Sequence, residues 1–338
     1  MSDVMKAVRL HTFGGPDVLV YEDAPKPTVN PGEVLVRVHA VGVNPPDWYL
    51  REGYTMLPPE WQPRMAFPII PGTDISGVVA ALADDVDGFA VGDQVYAMVR
   101  FPAGLNGESR AYAEYVAVPA AELAHKPAGI DHVHAAAAPM SLLTAWQFII
   151  EQGHNVPNPL QPRQHEPVPL DGKSVLINGA GGGVGHLLVQ LAKWRGAHVI
   201  AVGSGKHAAM LGELGADEYH DYALTDVAET VRGLDLVVDA VGGAQSSRFL
   251  RTIKPGGALF PVFGLDYDDN GEASRRGVTV STTQVVSSGA QLAQIGPLLD
   301  DGTIRVVIDS IFPLADARLA HERAARGNLQ GKIVLSVV

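Results

Sequence analysis

No cysteine occurs among the 338 residues, which excludes disulfides, thiolate catalysis and cysteine-ligated zinc. Basic runs are also missing: none is longer than the Arg275-Arg276 pair, and the formal net charge is -12. Nucleic acid or an anionic membrane is therefore not expected as a main partner, although a phosphate in a local pocket stays admissible. Long apolar runs are absent too, since Gly or Pro breaks each one, and the opening MSDVMKAVRLHTFGG has no apolar signal core. No transmembrane span is expected, and a cytoplasmic location is. What is present is apolar material: 46% hydrophobic and 18% charged residues, enough for a sizeable core and, at this length, for two domains.

The first third reads as short strands closed by turns: Met5 to Leu10, Leu19 to Asp23, Val34 to Val41, Ile75 to Ala80, Gln94 to Val99 and Glu114 to Val118. A largely antiparallel β-domain follows from that pattern. Helical spacing sets in at Ala135 to Ala138 and continues over Ser141 to Ile150. His154 to Pro169 carries prolines at 157, 159, 162, 167 and 169, and reads as an exposed excursion or lid.

From Lys173 strands and helices alternate: Ser174 to Asn178, Gly185 to Arg195, His198 to Val202, Ala208 to Leu214, Leu234 to Ala240, Gln245 to Ile253, and Ala258 to Phe263 after a Lys254-Pro255-Gly256-Gly257 turn. Such alternation predicts a parallel sheet with right-handed crossovers. The tail Gly331 to Val338 is strand-like and is expected to return to the first domain.

The sharpest local signal is Val175-Leu176-Ile177-Asn178 running into Gly179-Ala180-Gly181-Gly182-Gly183-Val184-Gly185 and then a helix. Ala180 and Gly182 leave room for backbone to approach a pyrophosphate, and Gly185 lets the helix pack on the strand. The helix N-terminus adds free N–H groups and a positive dipole. A glycine loop kept only for packing is the competing explanation. The second strand ends Gly203-Ser204-Gly205-Lys206-His207 without the acid that an NAD site places on the ribose hydroxyls. Ser204 and Lys206 suit a 2′-phosphate, with Tyr222 closing the other side, so NADPH is the expected cofactor. Lys206 as a plain surface lysine is the alternative. Ligands sit at the carboxyl edge of such a sheet, which adds Ala240, Val241 and Gly242 after the strand Leu234 to Ala240, and Phe263 and Gly264 after the next. Core packing accounts for these equally well.

Taken together, Pro16-Asp17-Val18-Leu19, Pro31-Gly32-Glu33-Val34, Gly42-Val43-Asn44-Pro45, Pro71-Gly72-Thr73-Asp74, Gly92-Asp93-Gln94-Val95, Leu142-Leu143-Thr144-Ala145, the glycine turn and Gly331-Lys332-Ile333-Val334 form an ordered set. By this set the chain resembles the zinc-independent quinone oxidoreductase branch of the medium-chain dehydrogenase/reductase superfamily. The resemblance implies an α/β protein with a GroES-like β-rich catalytic domain (1–135 and 286–338) and a Rossmann domain (136–285), with the active site between them. It also implies a homodimer. Zinc-dependent relatives place a Cys and a His-Glu pair where this chain has Asn44 and Thr73-Asp74, and Asn and Thr are poor zinc ligands. No metal is expected. His154 and His165 read as solvated loop histidines.

The resemblance further implies that Asn44 faces the nicotinamide or substrate and that Thr144 contacts the cofactor. Tyr54 resembles the tyrosine that enoyl-reductase relatives place by the substrate, where its hydroxyl donates a hydrogen bond or proton; a partly exposed loop aromatic is the plain alternative. Asp47 and Arg51 are expected to pair and hold this loop. Trp48, Trp61, Met65 and Phe67 are read as pocket lining or as core. Without a Lewis acid, conjugated acceptors suit such a site better than alcohols, so NADPH-dependent reduction of a quinone or α,β-unsaturated carbonyl is expected. A carbonyl or alcohol oxidoreductase and a non-catalytic NADPH-binding protein are the alternatives.

Overall fold

A computed structural model describes residues 4–156, 158, 161 and 163–338. Two sheets organise the chain. The first has six strands in the spatial order Glu218–Asp221, His198–Gly203, Ser174–Asn178, Leu234–Asp239, Ile253–Pro261 and Thr279–Val280, and every pairing in it is parallel. The centres of its inner strands are apolar because helices cover both faces; Val175, Leu176, Ile177, Leu236, Val237 and Val238 are all fully buried. Strand order reverses between Ser174–Asn178 and Leu234–Asp239, which opens a crevice at their carboxyl ends.

The second sheet has seven strands: Ile308–Pro313, Lys332–Ser336, Glu33–Val43, Asp74–Leu82, Gln94–Met98 and Leu123–His125 in order, with Tyr115–Pro119 also pairing with Glu33–Val43. Only its first pair is parallel. The C-terminal strand thus returns to the first third of the chain, as its composition predicts. Helix Pro139–Ile149 lies between the sheets with every residue buried, and one apolar core runs from Tyr96 and Met98 on one side to Val175 and Ile177 on the other.

Several elements depart from the sequence reading. The segment expected as a helix over 245–253 forms 3-10 turns over Ala244–Thr252. The predicted turn 254–257 is absorbed into strand Ile253–Pro261 as an irregularity, since Leu234 pairs with Ile253 but Leu236 with Ala258. Phe263 therefore lies beyond the strand. Helix Pro45–Arg51 goes unread because two prolines open it, yet those occupy the first two helical positions, where no N–H is needed.

The Pro-rich segment is not a free lid. Prolines 157, 159 and 162 lie outside the described residues, but Gln161 and His165 on either side of the last are fully buried. Gln161 Oε1 accepts from Thr283 Oγ1 (3.0 Å) and Gln284 N (2.9 Å). The His165 ring bonds Ser281 Oγ and Phe148 O, both at 2.9 Å, and His154 Nε2 meets Gln284 O at 2.8 Å. Neither histidine is a solvated loop residue.

Candidate active site

Gly179 leaves strand Ser174–Asn178 with φ 72°, a left-handed conformation that favours glycine. Ala180 N then donates to Val202 O (2.9 Å), tying the turn to the second strand. A Cβ on Gly185 would collide with the Gly179 carbonyl oxygen and lie 2.7 Å from Ala180 Cα, so helix Gly185–Trp194 can approach this closely only as glycine. At Gly182 such an atom would meet only Gly179 O, at 3.4 Å. The turn is open on that side, next to the N–H groups of a ten-residue helix. A diphosphate fits this cradle by shape, dipole and donors. His186 fastens it from behind: Val307 N donates to Nε2 (3.1 Å), so the ring proton is on Nδ1 and goes to Gly182 O (2.9 Å). Burial pushes this histidine down to about 4 and keeps it neutral. The C-terminal strand closes over the turn, with Gly331 N donating to Gly181 O (2.9 Å) and the Lys332 stem against Gly183.

Ser204, Lys206 and Tyr222 gather at the ends of the second and third strands. Tyr222 is 59% exposed, and Lys206 Nζ donates to Asn328 O (2.7 Å). Two neighbours were not read from the sequence. Asp221, at the end of the third strand, brings a carboxylate oxygen to where a Gly205 Cβ would lie 2.6 Å away. His207 is 3% exposed, packs on Gly181, and has no hydrogen-bond partner on either ring nitrogen among the described residues.

A cleft of about 400 Å³ lies between the two sheets. Asn44, Tyr54, Thr144, Val184, Val241, Phe263 and Gly264 all line it, so seven of the residues singled out in the sequence converge here. Tyr49 on helix Pro45–Arg51 faces Phe263 across it, ring centres 6.3 Å apart. Thr144 Oγ1 donates to Met140 O (2.7 Å), leaving lone pairs but no proton for a ligand. Tyr54 is presented by two successive residues of positive φ, Gly53 (76°) and Tyr54 itself (53°), a rare backbone for tyrosine. Among the described residues no partner is recorded for its hydroxyl. Trp48, Trp61, Met65 and Phe67 do not line this cleft: Trp48 and Met65 pack on the β-domain core, Phe67 meets Phe13 edge-on, and Trp61 is exposed.

Beneath the cleft wall sits a buried polar network. Asn44 caps helix Pro45–Arg51, with its N–H on Asp47 Oδ2 (2.8 Å). Its side chain turns inward: Nδ2 donates to Asp74 Oδ2 (2.9 Å) and Gly42 O (3.3 Å), while Oδ1 accepts a short bond from Lys332 Nζ. The amide donors of Asn44 are thus spent inside the protein. Asp74 Oδ2 also takes Met140 N (2.9 Å), joining the helix between the sheets to this network. Burial drives Asp74 up to about 6, against the pull of Lys332, and the same burial lowers Lys332. Asp47 and Arg51 do not pair directly. Arg51 Nη1 donates to His321 Nδ1 (2.9 Å), the ring meets Tyr112 Oη through Nε2 (3.0 Å), and Tyr112 donates to Asp47 Oδ2 (3.1 Å). Among the described residues, no group of three or more His, Cys, Asp or Glu could hold a metal ion, and no helix is long and apolar enough to cross a membrane.

Known proteins resemble this arrangement throughout. The alcohol dehydrogenase GroES-like domain model matches residues 30–128, and the zinc-binding dehydrogenase model matches 214–335. The mouse NAD(P)H oxidoreductase RTN4IP1, mitochondrial, is 35% identical over 372 aligned positions, covering 100% of this chain and 90% of its own. The solved quinone oxidoreductase of Coxiella burnetii superposes with a TM-score of 0.84 at 29% identity, over 99% of this chain and 100% of its own. Mycobacterial Rv1454c, solved in complex with NADPH, gives a TM-score of 0.80 at 27% identity, over 98% and 100%. These likenesses make the chain an NAD(P)H-dependent oxidoreductase. It belongs to the medium-chain dehydrogenase/reductase superfamily, as a quinone oxidoreductase-like protein with a GroES-like domain and a Rossmann-like sheet.

Proposed function

We propose that the chain uses NADPH to reduce a quinone or an α,β-unsaturated carbonyl, within a catalytic unit formed by residues 1–135 and 286–338 and a nucleotide unit formed by 136–285. The observation that carries this is the cleft itself. It is walled mostly by apolar side chains, is bordered by Val184 of the glycine turn, and carries Tyr54, whose hydroxyl has no recorded partner among the described residues. Reduced nicotinamide supplies a hydride when bound. The chain's own task is to hold that ring and a flat acceptor together and to keep water away. A conjugated acceptor spreads the charge that develops, so it needs no cation at its oxygen, and the inward-turned Asn44 has no amide N–H left to offer it.

NADPH rather than NADH is favoured by Ser204 and Lys206 at the second strand end and by the NADPH held by the mycobacterial relative. Asn44 and Thr144 act here as walls that place the nicotinamide, and Phe263 and Val241 flank it. The test is NADPH consumption against a panel of 1,4-quinones, enals and enones beside saturated aldehydes and ketones. Turnover confined to the conjugated acceptors is the expected outcome; turnover of saturated carbonyls with none of quinones or enones refutes it.

A further inference from the structure

Behind Tyr54 lies a second, much smaller cavity of about 10 Å³, the room of about one water. Its wall includes Asp47, Tyr54, Thr73 and Ser109, and Tyr54 is shared with the cleft. Thr73 Oγ1 and Ser109 Oγ are both buried and have no hydrogen-bond partner among the described residues. An unmet buried hydroxyl is destabilising, and two of them on one water-sized space are the usual setting of an internal water. Asp47 completes the set. Its Oδ2 is taken by Asn44 N–H and Tyr112 O–H, and no partner is recorded for Oδ1 among the described residues.

The polarity of the network fixes where a proton on Asp47 must sit. Arg51 only donates, so His321 accepts through Nδ1 and carries its proton on Nε2. That proton goes to Tyr112 Oη, and the Tyr112 O–H goes to Asp47 Oδ2. Every bond in this string points at Oδ2, and its far end, a guanidinium, does not deprotonate. The string holds Asp47 but passes no proton, which leaves Oδ1 as the acid site, toward the small cavity.

We propose that a water bound by Asp47, Thr73 and Ser109 links Asp47 to Tyr54 and supplies the proton consumed in each turnover. This rests on the quinone or enone reading above. Hydride addition brings two electrons and one hydrogen to the acceptor and leaves negative charge on its oxygen. The Tyr54 O–H bond breaks as a bond to hydrogen forms on the acceptor, at the oxygen of a quinone or at the oxygen or α-carbon of an enone. The water reprotonates the phenolate, and Asp47 Oδ1–H gives its proton to the water. Asp47 regains a proton from solvent once product leaves, so the balance is one hydride and one proton per acceptor. The charged and titratable groups facing Asp47 are Arg51 on its own helix, Tyr112, Tyr54, His321 on helix Ala317–Ala325, and Asp74 and Lys332 in the sheet. Burial, with Asp74 adding, outweighs the Asn44 amide, Tyr112 and Lys332 and pushes Asp47 up to about 7. It is therefore still part-protonated at neutral pH.

The test uses a quinone that wild type reduces, with Thr73→Val/Ser109→Ala and Asp47→Asn. The double variant keeps Asp47, Tyr54 and the helix cap, so it isolates the water. Its kcat is expected to fall about 10-fold or more, with a larger solvent isotope effect and KM for NADPH within about twofold. Wild-type kcat should decline as pH rises through 7, and Asp47→Asn should be slower and flat over that range. Infrared spectra of the nucleotide-free protein give an independent readout: a buried carboxylic acid band at pH 6 that weakens in Asp47→Asn, the remainder coming from Asp74. A double variant with wild-type kcat, pH profile and isotope effect overturns the relay, as does a band unchanged in Asp47→Asn. Absence of turnover with every quinone and enone instead overturns the functional reading, and the infrared result still decides whether Asp47 holds the proton.

Discussion

Lys332 is the residue on which the buried network turns. It is 3% exposed, its ammonium bonds Asn44 Oδ1 and Val43 O, and its charge faces Asp74 and Asp47. Asn44 and Tyr54 could be picked from the sequence because each stands in a short local motif. Lys332 appeared there only as part of Gly331-Lys332-Ile333, and its partner Asn44 is 288 positions away. His321 and Arg51, 270 apart, were hidden for the same reason. Local spacing carries no record of such contacts. Replacing one partner of a buried ionic set leaves the rest uncompensated. Lys332→Met should therefore lose about 3 kcal/mol of stability in urea unfolding. Asp74 and Asp47 have folded pKa values raised to about 6 and about 7, so their contribution is largest at low pH and fades as pH rises through those values. Without the ammonium both rise further, and the deficit of the variant should be greater at pH 8 than at pH 5. An equal or smaller deficit at pH 8 contradicts the assignment.

At the scale of elements, periodicity and punctuation served well where an element is buried on one consistent pattern. The inner parallel strands, helix Gly185–Trp194 and the long strand Glu33–Val43 fall close to their predicted bounds. Strand Glu218–Asp221 was missed because, as an edge strand of Glu, Tyr, His and Asp, it has no apolar run to announce it. The Pro-rich segment was misjudged because proline content says what a backbone cannot do, not whether its flanks are pinned. Gln161 and His165 pin it to residues 281–284, part of the cleft wall. The glycine turn gives a sharp element-level expectation. Gly185→Ala forces strand and helix apart and should cost about 2 kcal/mol or more in denaturant unfolding. Gly212→Ala, in helix Ala208–Glu213 with open space around it, should instead stabilise by about 0.5–1 kcal/mol. Equal effects at the two positions contradict the role given to the turn.

For the whole molecule, the two sheets act as one object. Helix Pro139–Ile149 contributes to the core of both, Met140 N binds Asp74, and the strand Lys332–Ser336 crosses from the glycine turn back to the β-domain. The nucleotide turn and the Asn44 network are thereby joined through shared elements. The alternation of strands and helices made this architecture legible, and the motifs placed seven residues in the cleft; Tyr49, Leu105 and the 282–285 wall were not legible, because contacts distant in sequence build that part. The account as a whole requires that the turn, with Lys206 beside it, bind a phosphorylated dinucleotide in a protein of net charge -12. Calorimetric titration with NADPH and NADH, on wild type and Lys206→Ala, tests this most directly. The account predicts tighter binding of NADPH by wild type, a loss of about 10-fold for NADPH in the variant, and a change of no more than about twofold for NADH. Tighter binding of NADH, or heat from neither nucleotide, would contradict it.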